Sequence, residues 1–389
     1  MEDLGGVFWL CLAALSAIYF SIHLYFSLRM FFGVVDLNAA PSPAPARWPR
    51  VSLIVPARDE ALAIEGALLS KLREPYPDLE LIVVDDRSTD GTSAIVDRLA
   101  AEHPRIRAIH IRELPAGWLG KVHALDVGTK AASGELILLS DADVHIEAGT
   151  LEAVVARAEL EGADVVGVWP RFLGVNLWID AGLVAASRQI FGATRAWAAS
   201  DPASSASLGV GAFTLVRKSA LERIGGFAAL RLEVSDDVGL AQLIKRETRR
   251  ALAFRAGPSV SLTMYPTMQS YLRGAEKGAV IVNFSAFIAT ALALAMVIIE
   301  CAPLVLVAFE PTRALALVAI AGALLSSALA AHFSGFSLLR GLVWPIGALV
   351  NAFALARCGV RAAAQQGMSW RDTFYSAQSL RAGRKWRVL

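Results

Sequence analysis

From Val7 to Leu28 the chain reads "VFWLCLAALSAIYFSIHLYFSL", with no Asp, Glu, Lys or Arg. A run of that length and apolarity matches the roughly 20 residues a helix needs to cross a bilayer, and it constrains the fold more than any other feature. It is too long for a signal peptide and lacks a small-residue cleavage site, so it is expected to stay as an anchor. Most of Ala279 to Val360 is equally apolar. Candidate spans lie near Asn283 to Phe309, Ala314 to Phe333 and Phe336 to Ala356, separated by "EPTR" and "HFSG". These ends explain a mean hydropathy of +0.50, yet 19% charged residues are too many for a pure membrane bundle. The middle of the chain is therefore expected to be water-soluble.

Arg29, Arg47 and Arg50 follow the first span, which puts the soluble part on the cytoplasmic face of a plasma membrane by the positive-inside rule. Three further spans would leave the basic tail "RAGRKWRVL" on the opposite face, against the same rule. Either one of the three is re-entrant or interfacial, the first being marked by Glu300 and Pro303, or the charge bias is overridden. Cys11, Cys301 and Cys358 lie in or beside apolar stretches at no zinc spacing, and are expected to be small buried hydrophobes. A net charge of +2 gives no reason to expect a nucleic-acid partner.

After a proline-rich spacer, "NAAPSPAPARWPR", short apolar runs alternate with helical patterns: "VSLIV", "LELIVVDD", "IRAIHI" and "ELILLSD". Such alternation predicts an α/β fold with a parallel, doubly wound sheet whose strands are covered on both faces. Ligands of such sheets bind beyond the carboxyl ends of the strands. The segments there are "PARDE", "DDRSTDGT" and "SDADVH", all polar and acid-rich. On an extended chain Asp141 and Asp143 project to the same side, an arrangement suited to Mg²⁺ or Mn²⁺ completed by water and phosphate oxygens. The plainer alternative makes them caps of a helix starting near Ala148. Asp90 and Thr89 have the chemistry of a helix cap.

"VPARDE", "VVDDRSTDGT", "GWLGKVHALDVG", "SDADVH", "GVGAFTLVRKSALERIGGF" and "SDDVGLAQLIKR" resemble, in order and spacing, the family 2 glycosyltransferases of the GT-A fold. The resemblance covers roughly Val51 to Lys277 and implies a Rossmann-like, mostly parallel catalytic sheet flanked by transmembrane helices. It implies a nucleotide-sugar donor, a UDP-sugar foremost, held by Pro56, Arg58, Glu60, Asp85, Asp86, Lys121 and Asp141. It also implies a divalent metal on Asp141 and Asp143, and a catalytic base at Asp237 beside Asp236. Gly209 and Gly211 would line the acceptor side. Processive members carry Q-x-x-R-W, whereas this chain has Gln269 and Arg273 one residue too far apart and Gly274 in place of Trp. "MYPTMQSYLRGAEKGA" is closer to membrane enzymes that glycosylate lipids, among them ceramide, carotenoid and hopanoid-associated relatives. Arg273 and Lys277 would then face the acceptor side, or else form a basic interfacial helix.

The expected organisation is an anchor at 1–33, a linker at 34–50, a GT-A domain at 51–278, a transmembrane region at 279–360 and a basic tail at 361–389. The expected activity is inverting, metal-dependent hexosyl transfer to a lipid hydroxyl. A processive polysaccharide synthase and a non-catalytic lipid carrier or scaffold are the alternatives.

Overall fold

The computed structural model describes residues 2–39 and 42–384, which fall into two compact units. Ala40 and Pro41 of the spacer and residues 385–389 of the basic tail lie outside the described residues.

The first unit comprises Val34–Phe172 and Ala196–Thr263. Its apolar runs become strands because Val, Ile and Leu fill both faces of the sheet, and β2 (Val51–Ala57) and β3 (Leu79–Asp86) are buried almost throughout. The other members of the eight-stranded sheet are β1 (Val35–Asp36), β4 (Ile106–Ile111), β5 (Leu136–Leu139), β7 (Val165–Trp169), β9 (Thr214–Arg217) and β10 (Ala251–Arg255). Their order is β1-β10-β7-β9-β5-β2-β3-β4. Only β9 runs against its neighbours, so the mostly parallel α/β fold expected from the sequence is present. Three short strands, β6 (His145–Ile146), β8 (Arg171–Phe172) and β11 (Val260–Leu262), form a second sheet.

Helices α2 (Ile64–Leu72), α3 (Thr92–Glu102), α4 (Gly120–Ala131), α5 (Thr150–Glu161), α7 (Lys218–Arg223) and α8 (Asp236–Thr248) complete this unit. The reversed direction of β9 has a direct effect. Because β9 enters the sheet at the edge where its parallel neighbours end, Gly211, just before β9, reaches Asp141, just after β5, and accepts the Asp141 N–H on its carbonyl at 3.0 Å.

The second unit gathers Met1–Gly33, Leu173–Arg195 and Met264–Arg381. It contains α1 (Glu2–Gly33), α6 (Leu177–Thr194), α9 (Met268–Gly274), α10 (Ala286–Leu306), α11 (Glu310–Phe333), α12 (Trp344–Gln365) and α13 (Ala377–Gly383). A hairpin of β12 (Gly367–Trp370) and β13 (Thr373–Ser376) lies within the stretch expected to be a basic tail. Among the described residues four segments are long and apolar enough to cross a membrane: Gly5–Gly33, Ala286–Leu306, Glu310–Phe333 and Leu338–Gln365. The unit boundaries differ from the expected domain limits, since α6 and the chain from Met264 group with these helices. Cys11 is exposed rather than buried, on a helix whose outer face is apolar.

Glu300 and Pro303 lie within a continuous α10. Pro303 has no N–H to bond the carbonyl four residues back, and that carbonyl, of Ile299, instead accepts the Ser16 hydroxyl at 2.9 Å. Glu300 is fully buried and paired with the equally buried Arg188 of α6 at 2.5 Å. The Tyr19 hydroxyl donates to the same carboxylate at 2.8 Å, Arg188 donates to Ser327 at 3.1 Å, and the Trp344 indole donates to the Glu300 carbonyl at 3.2 Å. Helices α1, α6, α10, α11 and α12 therefore meet at one polar node. Small residues let them approach: a Cβ on Gly322 would lie 3.0 Å from Phe20, and one on Gly192 2.6 Å from Phe26. Removing one partner of a buried ion pair strands the other charge. We therefore expect Glu300→Ala to cost about 3–5 kcal/mol in denaturant unfolding in detergent, and Glu300→Ala with Arg188→Met to recover most of it. A double variant no more stable than the single one contradicts this account.

Candidate active site at the carboxyl edge of the sheet

Asp85 and Asp86 are the last two residues of β3, whereas Asp141 and Asp143 lie beyond the end of β5. After β5 the chain turns through Asp141–Val144, with the Val144 N–H reaching the Asp141 carbonyl at 3.4 Å. This corrects the expectation that Asp141 and Asp143 sit on an extended segment. Neither acid caps α5: its N-cap position is Gly149, and the N–H groups of Gly149 and Leu151 are accepted by Glu74 at 2.9 and 3.1 Å.

Pro56, Lys121, Asp141, Gly211, Asp236 and Asp237 line one cleft. Lys121, in the first turn of α4, pairs with Asp141 at 2.6 Å and lies 3.9 Å from Asp236. Burial alone would depress its ammonium, but the carboxylates of Asp141, Asp236 and Asp237 hold it well above the usual lysine range. Asp236 and Asp237 open α8, where negative charge is favoured by the helix N-terminus. Asp237 accepts the Gly211 N–H at 2.8 Å on one oxygen and the Val238 N–H at 2.8 Å on the other.

The two glycines are required by closeness. A Cβ on Gly209 would collide with the Asp237 carbonyl, and one on Gly211 would sit 2.5 Å from the Asp141 carboxylate and 3.0 Å from the Lys121 nitrogen.

Among the described residues no group of three His, Cys, Asp or Glu is placed to hold a metal ion. Asp141 and Asp143 are a pair, a donor set that matches a hard cation whose other positions are filled by water and phosphate oxygens. Burial, with the Asp141 charge beside it, pushes the Asp143 carboxyl up to about 6. A cation would relieve that cost, so these residues fit a divalent ion.

The remaining expected donor residues occupy adjoining loops. The Arg58 guanidinium donates to the Asp86 carbonyl at 3.3 Å and lies 3.9 Å from the Asp86 carboxylate, which also pairs with Arg87 at 2.7 Å. The Glu60 N–H donates to Thr92 at 2.8 Å. Asp59, at φ 53°, accepts the Thr89 N–H at 2.7 Å, while Asp90 accepts those of Thr92 and Ala61 at 3.0 Å each. The loops after β2 and β3 are thus sewn together. Asp85 accepts Ser93 at 2.5 Å and Ser88 N–H at 3.3 Å, and contacts His110 at 3.1 Å. Arg273 and Lys277 belong to the helical unit, where Lys277 sits 4.7 Å above the Trp370 ring.

Two partners in the α/β unit were not anticipated. His110 bridges Asp85 and Asp97, and Lys71 lies buried beneath the Asp141 turn. Lys71 follows Ile64 and Leu68 by seven and three residues, so its place on the apolar face of α2 was the available signal.

The sequence description of Glycosyl transferase family 21 matches residues 8–382. The chain belongs to that family. Curated relatives match over shorter stretches. The GalNAc(5)-diNAcBac-PP-undecaprenol beta-1,3-glucosyltransferase of Campylobacter jejuni is 31% identical over 31% of this chain and 38% of its own length. The beta-monoglucosyldiacylglycerol synthase of Synechocystis sp. is 28% identical over 37% of this chain and 34% of its own. The cholesterol galactosyltransferase of Borreliella burgdorferi is 25% identical over 33% and 35%. These matches span little more than a third of each relative. A mannosyltransferase from Pyrobaculum calidifontis, solved with GDP-Man and Mn²⁺, superposes with a TM-score of 0.56 at 21% identity, covering 91% of this chain and 99% of that one. At that identity it supports the fold alone.

Hydrogen bonding to Asp85, with further help from Asp97, raises the His110 pKa above its ordinary value, against the effect of burial. A group whose folded pKa is raised stabilises below its unfolded pKa, and that contribution is lost as pH climbs through the folded one. Stability is therefore expected to fall as pH rises from about 6.5, and His110→Gln should flatten that slope in thermal melts. An equal slope in the variant refutes the linkage.

Proposed function

We propose that this family 21 chain is a membrane-anchored, inverting hexosyltransferase. It moves one sugar from a nucleoside-diphosphate sugar to a hydroxyl of a membrane lipid, with the α/β unit on the cytoplasmic side. The observation that carries this reading is the shared cleft in which Lys121 holds Asp141 while Asp237 is fixed by the Gly211 N–H. The three relatives, named for an undecaprenol-linked glycan, a monoglucosyldiacylglycerol and cholesterol, support a lipid acceptor.

In this mechanism Asp237 takes the acceptor hydroxyl proton as the oxygen bonds to the anomeric carbon, and the bond from that carbon to the diphosphate breaks. The Gly211 and Val238 N–H groups hold the carboxylate while leaving lone pairs free for the incoming proton. Lys121 supplies fixed positive charge on the donor side, beside Asp141. Asp141 and Asp143 would hold a divalent ion, which when bound neutralises charge on the departing diphosphate. Arg58, Glu60, Asp85 and Asp86 belong to the loops that would receive the nucleotide, and Pro56 lines the cleft beside them. A UDP-sugar is the first donor to try. Gly209 and Gly211, which let the Asp237 backbone and the Asp141–Lys121 pair come close, are assigned to the acceptor side, and Arg273 and Lys277 to the lipid.

The test is a transfer assay on detergent-purified protein with a panel of nucleotide sugars, Mg²⁺ or Mn²⁺, and total membrane lipid. Asp237→Asn should lower kcat by about 10²- to 10⁴-fold with donor affinity kept within a few fold, whereas Asp143→Ala should abolish metal-dependent donor binding. Full turnover in Asp237→Asn removes the base assignment.

A further inference from the structure

α2 and the turn that follows it offer three polar side chains to the main chain of residues 141–151, and the central one is a lysine with no exposure to solvent. The Lys71 ammonium donates to the carbonyl of Asp141 at 3.3 Å and, more closely, to that of Val144. Those are the first and last residues of the turn that carries Asp141 and Asp143. One residue earlier, Ser70 accepts the Ile146 N–H at 3.1 Å, and three later Glu74 accepts the N–H groups of Gly149 and Leu151.

A buried ammonium is costly, and this one is satisfied by main-chain oxygens rather than by a carboxylate in contact with it. A leucine or methionine would fill the same place on an apolar helix face at lower cost. What the lysine adds is a bridge between the two ends of one turn. Burial lowers its pKa to about 7 against the pull of Asp143 and Asp141, but an amine has two N–H donors in its neutral form as well. The bridge is available in either state.

We propose that Lys71 is a positioning residue for the donor site: by tying the carbonyls of Asp141 and Val144 it fixes the turn from which Asp141 and Asp143 present their carboxylates. This rests on the reading of that turn as the place where a divalent ion and a diphosphate bind. Holding such groups to within a fraction of an ångström is what gives a two-carboxylate site its affinity.

The experiment uses the full chain in detergent, with UDP and GDP each titrated calorimetrically over a series of MnCl₂ concentrations. Lys71→Met should weaken Mn²⁺-dependent nucleotide binding about tenfold and raise the half-saturating Mn²⁺ concentration, with the thermal midpoint little changed or raised. A residue that only supports the fold would lower the midpoint and leave both binding constants unchanged in the folded protein, and that result overturns the proposal. Should Lys71→Met fail to fold, Lys71→Gln, which keeps an N–H donor on a shorter stem, is read by the same constants. Asp143→Asn separates the two ideas. Loss of binding there with unchanged binding in the Lys71 variants overturns the role of Lys71 alone. Mn²⁺-dependent binding that is absent in the wild type, or undiminished in Asp143→Asn, overturns the reading of the turn and the Lys71 proposal with it.

Discussion

One ammonium group among three carboxylates organises the cleft: Lys121 lies between Asp141, which leaves β5, and Asp236, which with Asp237 opens α8. They come from three separate parts of the chain, and like charges placed so near one another would repel without the lysine. The cation lets three acids share a site at the end of the sheet. The glycines before β9 are the other half of the same constraint, since any side chain there would displace either the Asp141 carboxylate or the backbone of Asp237.

The helical unit meets a different demand with related means. In an apolar environment a charge is tolerated when it is paired, and a freed carbonyl when it finds a donor. Glu300 meets Arg188, and the Ile299 carbonyl left open by Pro303 meets Ser16. Residues that look disruptive along one helix are resolved across several.

Much of this was readable in the sequence because strands covered on both faces leave near-continuous apolar runs, and uncharged helices leave long ones. The strands ending at Ala57, Asp86 and Leu139, the polar segments after them and the four apolar helices all follow from that rule. What escaped notice depends on contacts between residues far apart in the chain. Glu300 reads as an error until Arg188 is seen beside it, and nothing around Arg188 separates α6 from the α/β unit in sequence. The turn at Asp141–Val144 was taken for extended chain because a D-A-D triplet carries no glycine or proline to announce a turn. The motif that carries Asp85 gives no sign that His110, from β4, contacts it beside Ser88 and Ser93. At the β12–β13 hairpin Arg371 and Asp372 adopt φ of 45° and 59° without a glycine, so the usual hairpin signal was missing.

The Arg188–Glu300 pair also sets an order of events during synthesis. Its partners are 112 residues apart, and at roughly 5–20 residues per second Arg188 leaves the ribosome some 6 to 22 seconds before the acid that neutralises it. During that interval a guanidinium destined for a solvent-free place has no carboxylate to meet. The α6 segment must therefore wait at a hydrated surface, or in the keeping of the insertion machinery, until α10 is made. Assembly of the helical unit is in this sense a late step, timed by the arrival of a single acid.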